Sequence, residues 1–275
     1  MTKGKVVIKT ESEIELIRHS CRIACEAIAE VAKVIRPGYS GIEADKLADT
    51  YIKDHGGMPS FKGYGHPAFP ASLCISINEA VVHGIPTQAP FREGDLISLD
   101  CGAYLHGFHG DVAYTLILGE VPEVVMKLCV VTKNSLYLGI EQAFQGNRLG
   151  DIGFVIQQYV EKENGFGVVR ELVGHGVGKE LHEPPDVSNY GKRGNGLVLQ
   201  ENMVFAIEPM VNLGTRQIRT LSDYWTVVSK DNKPSAHYEH TIVVRKTNGE
   251  TLTDHSVIEE AIKNNKELSE ISLKI

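Results

Sequence analysis

"DLISLDCGAYLHGFHGDVAYTLIL", Asp95 to Leu118, reads as two apolar arms folded back on each other about a turn near His106-Gly107. Short runs rich in β-branched and aromatic residues, joined through a glycine, predict a β-hairpin. Each arm carries an acid in the middle of its apolar surface, Asp100 on the first and Asp111 on the second. With the turn centred between Leu105 and His106, the two acids are direct cross-strand partners, their Cβ atoms about 4.5–5.5 Å apart. Like charges facing each other at that distance destabilise a sheet, so something positive is expected between them.

Helices precede the hairpin. Thr10 and Glu13 make a capping box ahead of Ile14, Ile17, Cys21, Ala24, Ile28, Val31 and Ile35, whose steps of three and four residues mark one helix face. Pro37-Gly38 ends that helix, and Ser40 with Glu43 repeats the capping box for a second one that stops at Gly56-Gly57. A Gly/Pro-rich loop from Met58 to Ala71 leads to a strand at "LCISI" and then to the hairpin. Two more helices are predicted over Glu123–Phe144 and Asp151–Asn164, followed by strands at "VVREL", "MVFAIE", "YWTVVS" and "HYEHTIVVR". Helix, helix, strands therefore occurs twice with no linker between. We expect an α+β protein, a single domain over 1–275 built from halves of about 10–120 and 121–250 that share one sheet. The tail of about 255–275 reads as an exposed amphipathic helix.

The chain has 275 residues, 42% hydrophobic and 23% charged, with a net charge of −7. Such a balance suits an ordinary globular protein and argues against nucleic-acid binding. No apolar run has the length of a signal peptide core or a membrane span, so a cytoplasmic protein is expected. Five cysteines without a C-x-x-C pair fit reduced thiols better than a disulfide framework. Cys21 and Cys25, at helical spacing on the first helix, are expected in the core.

Two further acids stand in apolar surroundings. Glu208 closes "MVFAIE" before Pro209, and Glu239 lies in "AHYEHTIVV". A buried carboxylate must be protonated, paired or bound to metal. Any one of the four acids could sit at an exposed strand end. Together with His175, expected in the glycine-rich loop "GHGVGKELHEPP" (Gly174 to Pro185), they share one simpler explanation: an oxygen-rich site with a single nitrogen donor. Bridging carboxylates can hold two divalent ions about 3.5–4 Å apart, and the hard oxygen majority favours manganese, iron(II) or cobalt over a closed structural zinc.

The sequence resembles the methionine aminopeptidases over nearly its whole length. The resemblance rests on "CISINEAVVHGIP" (Cys74 to Pro86), "SLDCGAYLHGFHGD" (Ser98 to Asp111), "GHGVGKELHEPP", "FAIEPMV" (Phe205 to Val211) and "AHYEHTIVV" (Ala236 to Val244), in the family's order and spacing. It implies the pita-bread fold, with two pseudo-symmetric halves around a dinuclear site holding Mn, Fe(II), Co or Zn. Asp111 and Glu239 match the carboxylates that bridge both ions, Asp100 a ligand of one, and His175 with Glu208 those of the other. Glu208 matches the general base as well. His83 and His182 match the family's two catalytic, substrate-binding imidazoles. Tyr64, Phe69, Cys74 and Trp225 match residues that line the methionine pocket, where "KGYGHPAFPASLC" departs from the family by extra residues around Gly65–Ala68. Cys74 is expected as a wall rather than a nucleophile.

Glu208 and Glu239 stand only 31 residues apart, without the insertion of the type II branch, so the resemblance is to type I enzymes of the bacterial kind. It implies removal of the initiator methionine from nascent chains near the ribosome by a monomer that binds neither nucleic acid nor membrane, with a preference for a small second residue. The alternatives are a proline-specific aminopeptidase of the same fold and a non-catalytic pita-bread binding protein. The first carries a large extra N-terminal domain, and the second loses ligands that this sequence keeps.

Overall fold

In the computed structural model, which describes residues 4–272, α1 spans Glu11–Val34 and α2 spans Gly41–Asp54, each opened by its capping box. Oγ1 of Thr10 accepts from the Glu13 N–H while the Glu13 carboxylate accepts from the Thr10 N–H, and Ser40 and Glu43 do the same. The expected stripe of α1, from Ile14 to Ile35, is fully buried, and Cys21 and Cys25 are buried with it.

That stripe packs on one antiparallel sheet. Its order is Met58–Pro59, Leu96–Leu105, Phe108–Ile117, Glu239–Val244, Val204–Ile207, Gly174–Gly176 and Glu183–Val187, with Leu73–Ile77 added to Leu96–Leu105 and Gly249–Thr251 to Glu239–Val244. α3 (Glu123–Glu141) and α4 (Leu149–Gln157), the latter continued by a π-helical turn over Gln158–Glu163, follow the hairpin. Two three-stranded sheets join Met210–Asn212 to Gly167–Val168 and Ser235–His237, and Val227–Ser229 to Ile218–Thr220 and Ala80–Val82. The strand expected at "VVREL" is therefore only two residues long.

The hairpin register differs from the expected one. Asp100 faces Ala113, and Asp111 faces Gly102. The two-residue turn is His106-Gly107, with φ of 53° and 87°. A tight hairpin of this kind needs positive φ at both central residues, which a glycine accepts and Leu105 resists. The acids thus keep one face of the sheet but stand on a diagonal.

Gly110 sets the distance between α1 and the hairpin. A Cβ there would come within 2.3 Å of the Cys21 backbone nitrogen, so the helix backbone rests directly on the strand one residue before Asp111.

The C-terminal tail is docked rather than exposed. α5 (Ser256–Asn264) is amphipathic as expected, but Ile258, Ala261 and Ile262 are buried, and the helix stops at Asn264. Beyond it the Asn265 amide donates to the carbonyls of Ala32 and Ile35 at the end of α1, and Ser269 bonds Ile117 and Gly119. An apolar stripe alone does not stay in water when a neighbouring face can cover it. Residues 273–275 of the tail lie outside the described residues.

Candidate active site

Three neighbouring strands carry three of the four acids. Ala113 pairs with Asp100 on one side and with Glu239 on the other, so Asp100 and Glu239 flank it in one row across the sheet. Asp111 lies two residues from Ala113 and therefore shares its face. Glu208 follows the strand Val204–Ile207, one step beyond the pair His240 and Ile207, which brings it beside Glu239.

His175 comes from the next strand and not from a loop as expected. Gly174–Gly176 pairs with both Glu183–Val187 and Val204–Ile207. A Cβ at Gly174 would stand 2.3 Å from the Ala206 carbonyl oxygen, and one at Gly176 would stand 2.4 Å from that of Pro184. The glycines flanking His175 therefore serve close strand packing, which only a side chain of no bulk permits.

One donor atom each from Asp111, His175 and Glu239 can be chosen so that all lie within 4.8 Å of one another. Nε2 of His175 is 3.8 Å from Oδ2 of Asp111 and 3.5 Å from Oε1 of Glu208. Its Nδ1 lies 3.1 Å from the Gly176 carbonyl, which can only accept, so Nδ1 carries the proton and Nε2 offers a lone pair to the acids. Burial holds the imidazole pKa down to about 4. His175 is thus neutral at physiological pH and neutralises none of the acids.

The carboxylates stand close together, Asp111 and Glu239 buried and Asp100 and Glu208 half-buried at the cavity. Burial pushes Asp100, Glu208 and Glu239 well above the usual carboxylate range, and the neighbouring acids push in the same direction. Asp111 is raised to about 7, chiefly by burial. Asp100 Oδ1 and Glu239 Oε1 are buried without a hydrogen-bond partner, and among the described residues no Lys or Arg lines the cavity. Four crowded acids, two of them with an orphaned oxygen, and the Nε2 lone pair of His175 are a donor set that fits hard divalent cations.

These acids form the floor of a cavity of about 280 Å³ that is also lined by His83, His182, Tyr64, Phe69, Cys74 and Trp225. Every residue named from the sequence is therefore at one place. His83 follows the strand Ala80–Val82 with φ of 57°, and at Gly84 any Cβ would fall 2.2 Å from the Ile75 carbonyl oxygen. Burial lowers the His83 pKa to about 4. His182 stands against His175, ring centroids 4.0 Å apart, and its Nδ1 is 2.6 Å from the Tyr64 hydroxyl. One side of the His182 ring meets the open cavity, yet desolvation by the cleft walls still takes its pKa to about 3.

Phe61, Phe69, Ala71, Cys74 and Leu181 form an apolar cluster, closed by Trp225 and Ile85. Phe69 meets Trp225 edge-on at 5.2 Å, and Trp225 Nε1 donates to the Pro67 carbonyl. The extra residues around Gly65–Ala68 thus brace the tryptophan wall, with Gly65 so close to the indole that a Cβ there would stand 2.5 Å from it. Cys74 is buried, and its thiol is pushed well above the ordinary range, by burial first and by Asp100 next.

Phe61, Leu172, Val173, Leu181 and His237 were not among the residues expected at the site. His237, buried two residues before Glu239, has its Nε2 3.6 Å from Glu208 Oε2 and without a hydrogen-bond partner. Its presence in "AHYEH" was a signal, since side chains two apart on an extended chain share a face. The apolar lining residues carried no signal that separates them from core.

The model of Metallopeptidase family M24 matches residues 15–246. A methionine aminopeptidase of Clostridium acetobutylicum is 49% identical over 90% of this chain and 98% of its own length. The crystal structure of methionine aminopeptidase from Thermotoga maritima is 42% identical, with a TM-score of 0.88 over 91% of this chain and all of that one. The prolidase from Pyrococcus furiosus shares the fold at 23% identity and a TM-score of 0.72, and this chain covers 65% of it. The curled antiparallel sheet with its packed helices is the pita-bread fold, and its Asp/His/Glu cluster could hold a divalent metal: the chain belongs to metallopeptidase family M24, among the methionine aminopeptidases.

Proposed function

We propose that the protein removes the initiator methionine from new polypeptides whose second residue is small. The observation that carries this reading is that the buried acids and His175 open onto one apolar cavity walled by Phe69, Cys74, Leu181 and Trp225. An unbranched thioether fits such a lining, and the methionine aminopeptidases similar to this chain match it over nearly their whole length.

Asp100, Asp111, His175, Glu208 and Glu239 would hold two divalent ions. Bound there, the ions supply Lewis acidity toward the scissile carbonyl and acidify water at neutral pH. The chain's own groups do the rest. The Glu208 carboxylate accepts the proton of the attacking water. His182 donates from Nε2 to the carbonyl oxygen as negative charge develops there, and His83 hydrogen-bonds the scissile amide nitrogen and helps it leave. Leu172 and Val173, beside the "GHGVG" strand at the cavity, crowd the place of the second residue.

The oxygen-rich donor set favours manganese, iron(II) or cobalt. One catalytic domain of two related halves is in keeping with a sheet whose central strands come from both. Among the described residues no helix is long and apolar enough to cross a membrane, and the net charge is −7. The acidic balance argues against nucleic-acid binding, and the reading is of a cytoplasmic monomer that works on nascent chains near the ribosome.

Metal analysis of protein purified without added metal, followed by kcat/KM on Met-Ala-Ser, Met-Leu-Ser, Met-Lys-Ser and Ala-Pro peptides, tests the reading. Cleavage confined to Met-Ala-Ser is expected. Comparable values across the methionyl peptides would remove the small-residue preference, and faster cleavage of Ala-Pro would replace the substrate.

A further inference from the structure

Lys9, on the segment before α1, is only 3% exposed, and its Nζ lies 2.5 Å from Oε2 of Glu183, which is 9% exposed. Taking both charges out of water is costly, and an apolar pair of the same size is often as stable. Stability alone thus gives little reason to keep a lysine here.

Its neighbours suggest another reason. The Lys9 N–H donates to the Asn202 carbonyl and Ile8 bridges Met203, so the lysine hangs from the turn that begins the strand leading to Glu208. Glu183 directly follows His182 and begins the strand Glu183–Val187. Its second oxygen, Oε1, accepts from the Glu180 N–H, and the Gly178 N–H donates to the Glu180 carbonyl, so the segment 178–183 closes on the Glu183 carboxylate. Gly178 leaves the room for this: a Cβ there would stand 2.3 Å from both Glu183 Oε1 and Lys9 Nζ. The Gly178 carbonyl in turn accepts from the His109 N–H, two residues before Asp111.

We infer that Lys9 is a positioning residue for the reaction: its buried ion pair with Glu183 fixes the turn 178–183 and so holds the His182 imidazole against His175. Lys9 itself touches neither the cavity nor the acids. Without it the turn keeps its backbone bonds but loses the charge that seats Glu183, and His182 swings relative to the substrate carbonyl.

This inference rests on the role proposed for His182, and His182→Ala alone tests that role. Lys9→Met is compared with wild type on Met-Ala-Ser, with Mn²⁺ affinity by calorimetry and the thermal midpoint measured on the same preparations. A misplacement of about 1 Å predicts a loss of roughly 10- to 100-fold in kcat, with Mn²⁺ affinity kept within about twofold. Lys9→Arg should recover most of the rate. In a His182→Ala background, Lys9→Met should add no further loss. Equal losses in the two backgrounds, or wild-type kcat in Lys9→Met while His182→Ala is impaired, would overturn the inference and leave the role of His182 standing. A fully active His182→Ala would remove both. Should Lys9→Met fail to fold, Glu183→Gln, which keeps Lys9 and the length of the other side chain but removes the negative charge, is read by the same comparisons.

Discussion

The hydroxyl of Tyr64 lies 2.6 Å from Nδ1 of His182, so the wall of the apolar cavity and the imidazole beside the acids are joined by one short hydrogen bond. With the ring neutral and its desolvated pKa near 3, a Tyr64 hydroxyl that donates to Nδ1 leaves Nε2 as the N–H donor. Tyr64→Phe keeps the ring and removes this bond. A net hydrogen bond is worth about 0.5–1.5 kcal/mol, which predicts a kcat lower by roughly 2- to 12-fold. Saturating kinetics on Met-Ala-Ser measure it, and an unchanged kcat would show that the bond does not orient the ring during turnover.

Asp111→Asn removes one negative charge from the face it shares with Asp100 and Glu239. Loss of a group merely supporting a metal ligand weakens binding by about 10–100-fold, so at least that much is expected for a ligand itself. Calorimetric titration with Mn²⁺ or Co²⁺ measures the change; unaltered binding would refute the assignment of Asp111.

His83→Ala is expected to keep its metal and its fold and to lose about 10²–10⁴-fold in kcat, the range for a positioned proton donor or acceptor. His83 is half-buried at a strand end. Metal stoichiometry, thermal midpoint and kcat from one preparation separate a catalytic role from a ligand or a packing role. A lowered midpoint with intact activity per folded molecule would mean packing alone.

Metal-free protein should lose stability as pH rises. Asp100, Glu208 and Glu239 have folded pKa values well above the usual range and Asp111 one of about 7, so the folded state binds more protons than the unfolded chain above about pH 4. Stability then falls with rising pH until those groups have ionised. The imidazoles act in the opposite direction: His83, His109 and His175 are lowered to about 4, His182, His237 and His240 to about 3, and His255 well below its usual value, and their effect is half spent at about pH 6.5 and gone by about pH 7.5. Thermal midpoints in EDTA should therefore drop between about pH 7 and pH 8.5, less steeply in Asp111→Asn and not at all with saturating Mn²⁺. A flat or rising midpoint in EDTA would contradict the pKa directions.

What could be read along the chain is what depends on neighbours in sequence. Both capping boxes and the α1 stripe rest on contacts within one turn of helix, and the hairpin rests on a turn between two apolar runs. The five candidate ligand residues were legible because a carboxylate in an apolar strand has few physical excuses and because their surrounding motifs match a known family. Register was not read correctly, since moving a turn by one residue shifts each pairing by two, and positive φ at His106-Gly107 decided between them. The rest is tertiary. Asp100 and Glu239 meet only because Ala113 lies between them in the sheet. His175 became a strand residue because Phe205 and Val187 offered backbone partners on both sides of its own segment. An amphipathic tail says that one face must be covered and not by what; α1 and the end of the hairpin supplied the cover. The ion pair of Lys9 and Glu183 spans 174 residues of chain, and no local pattern announces a partner so far away.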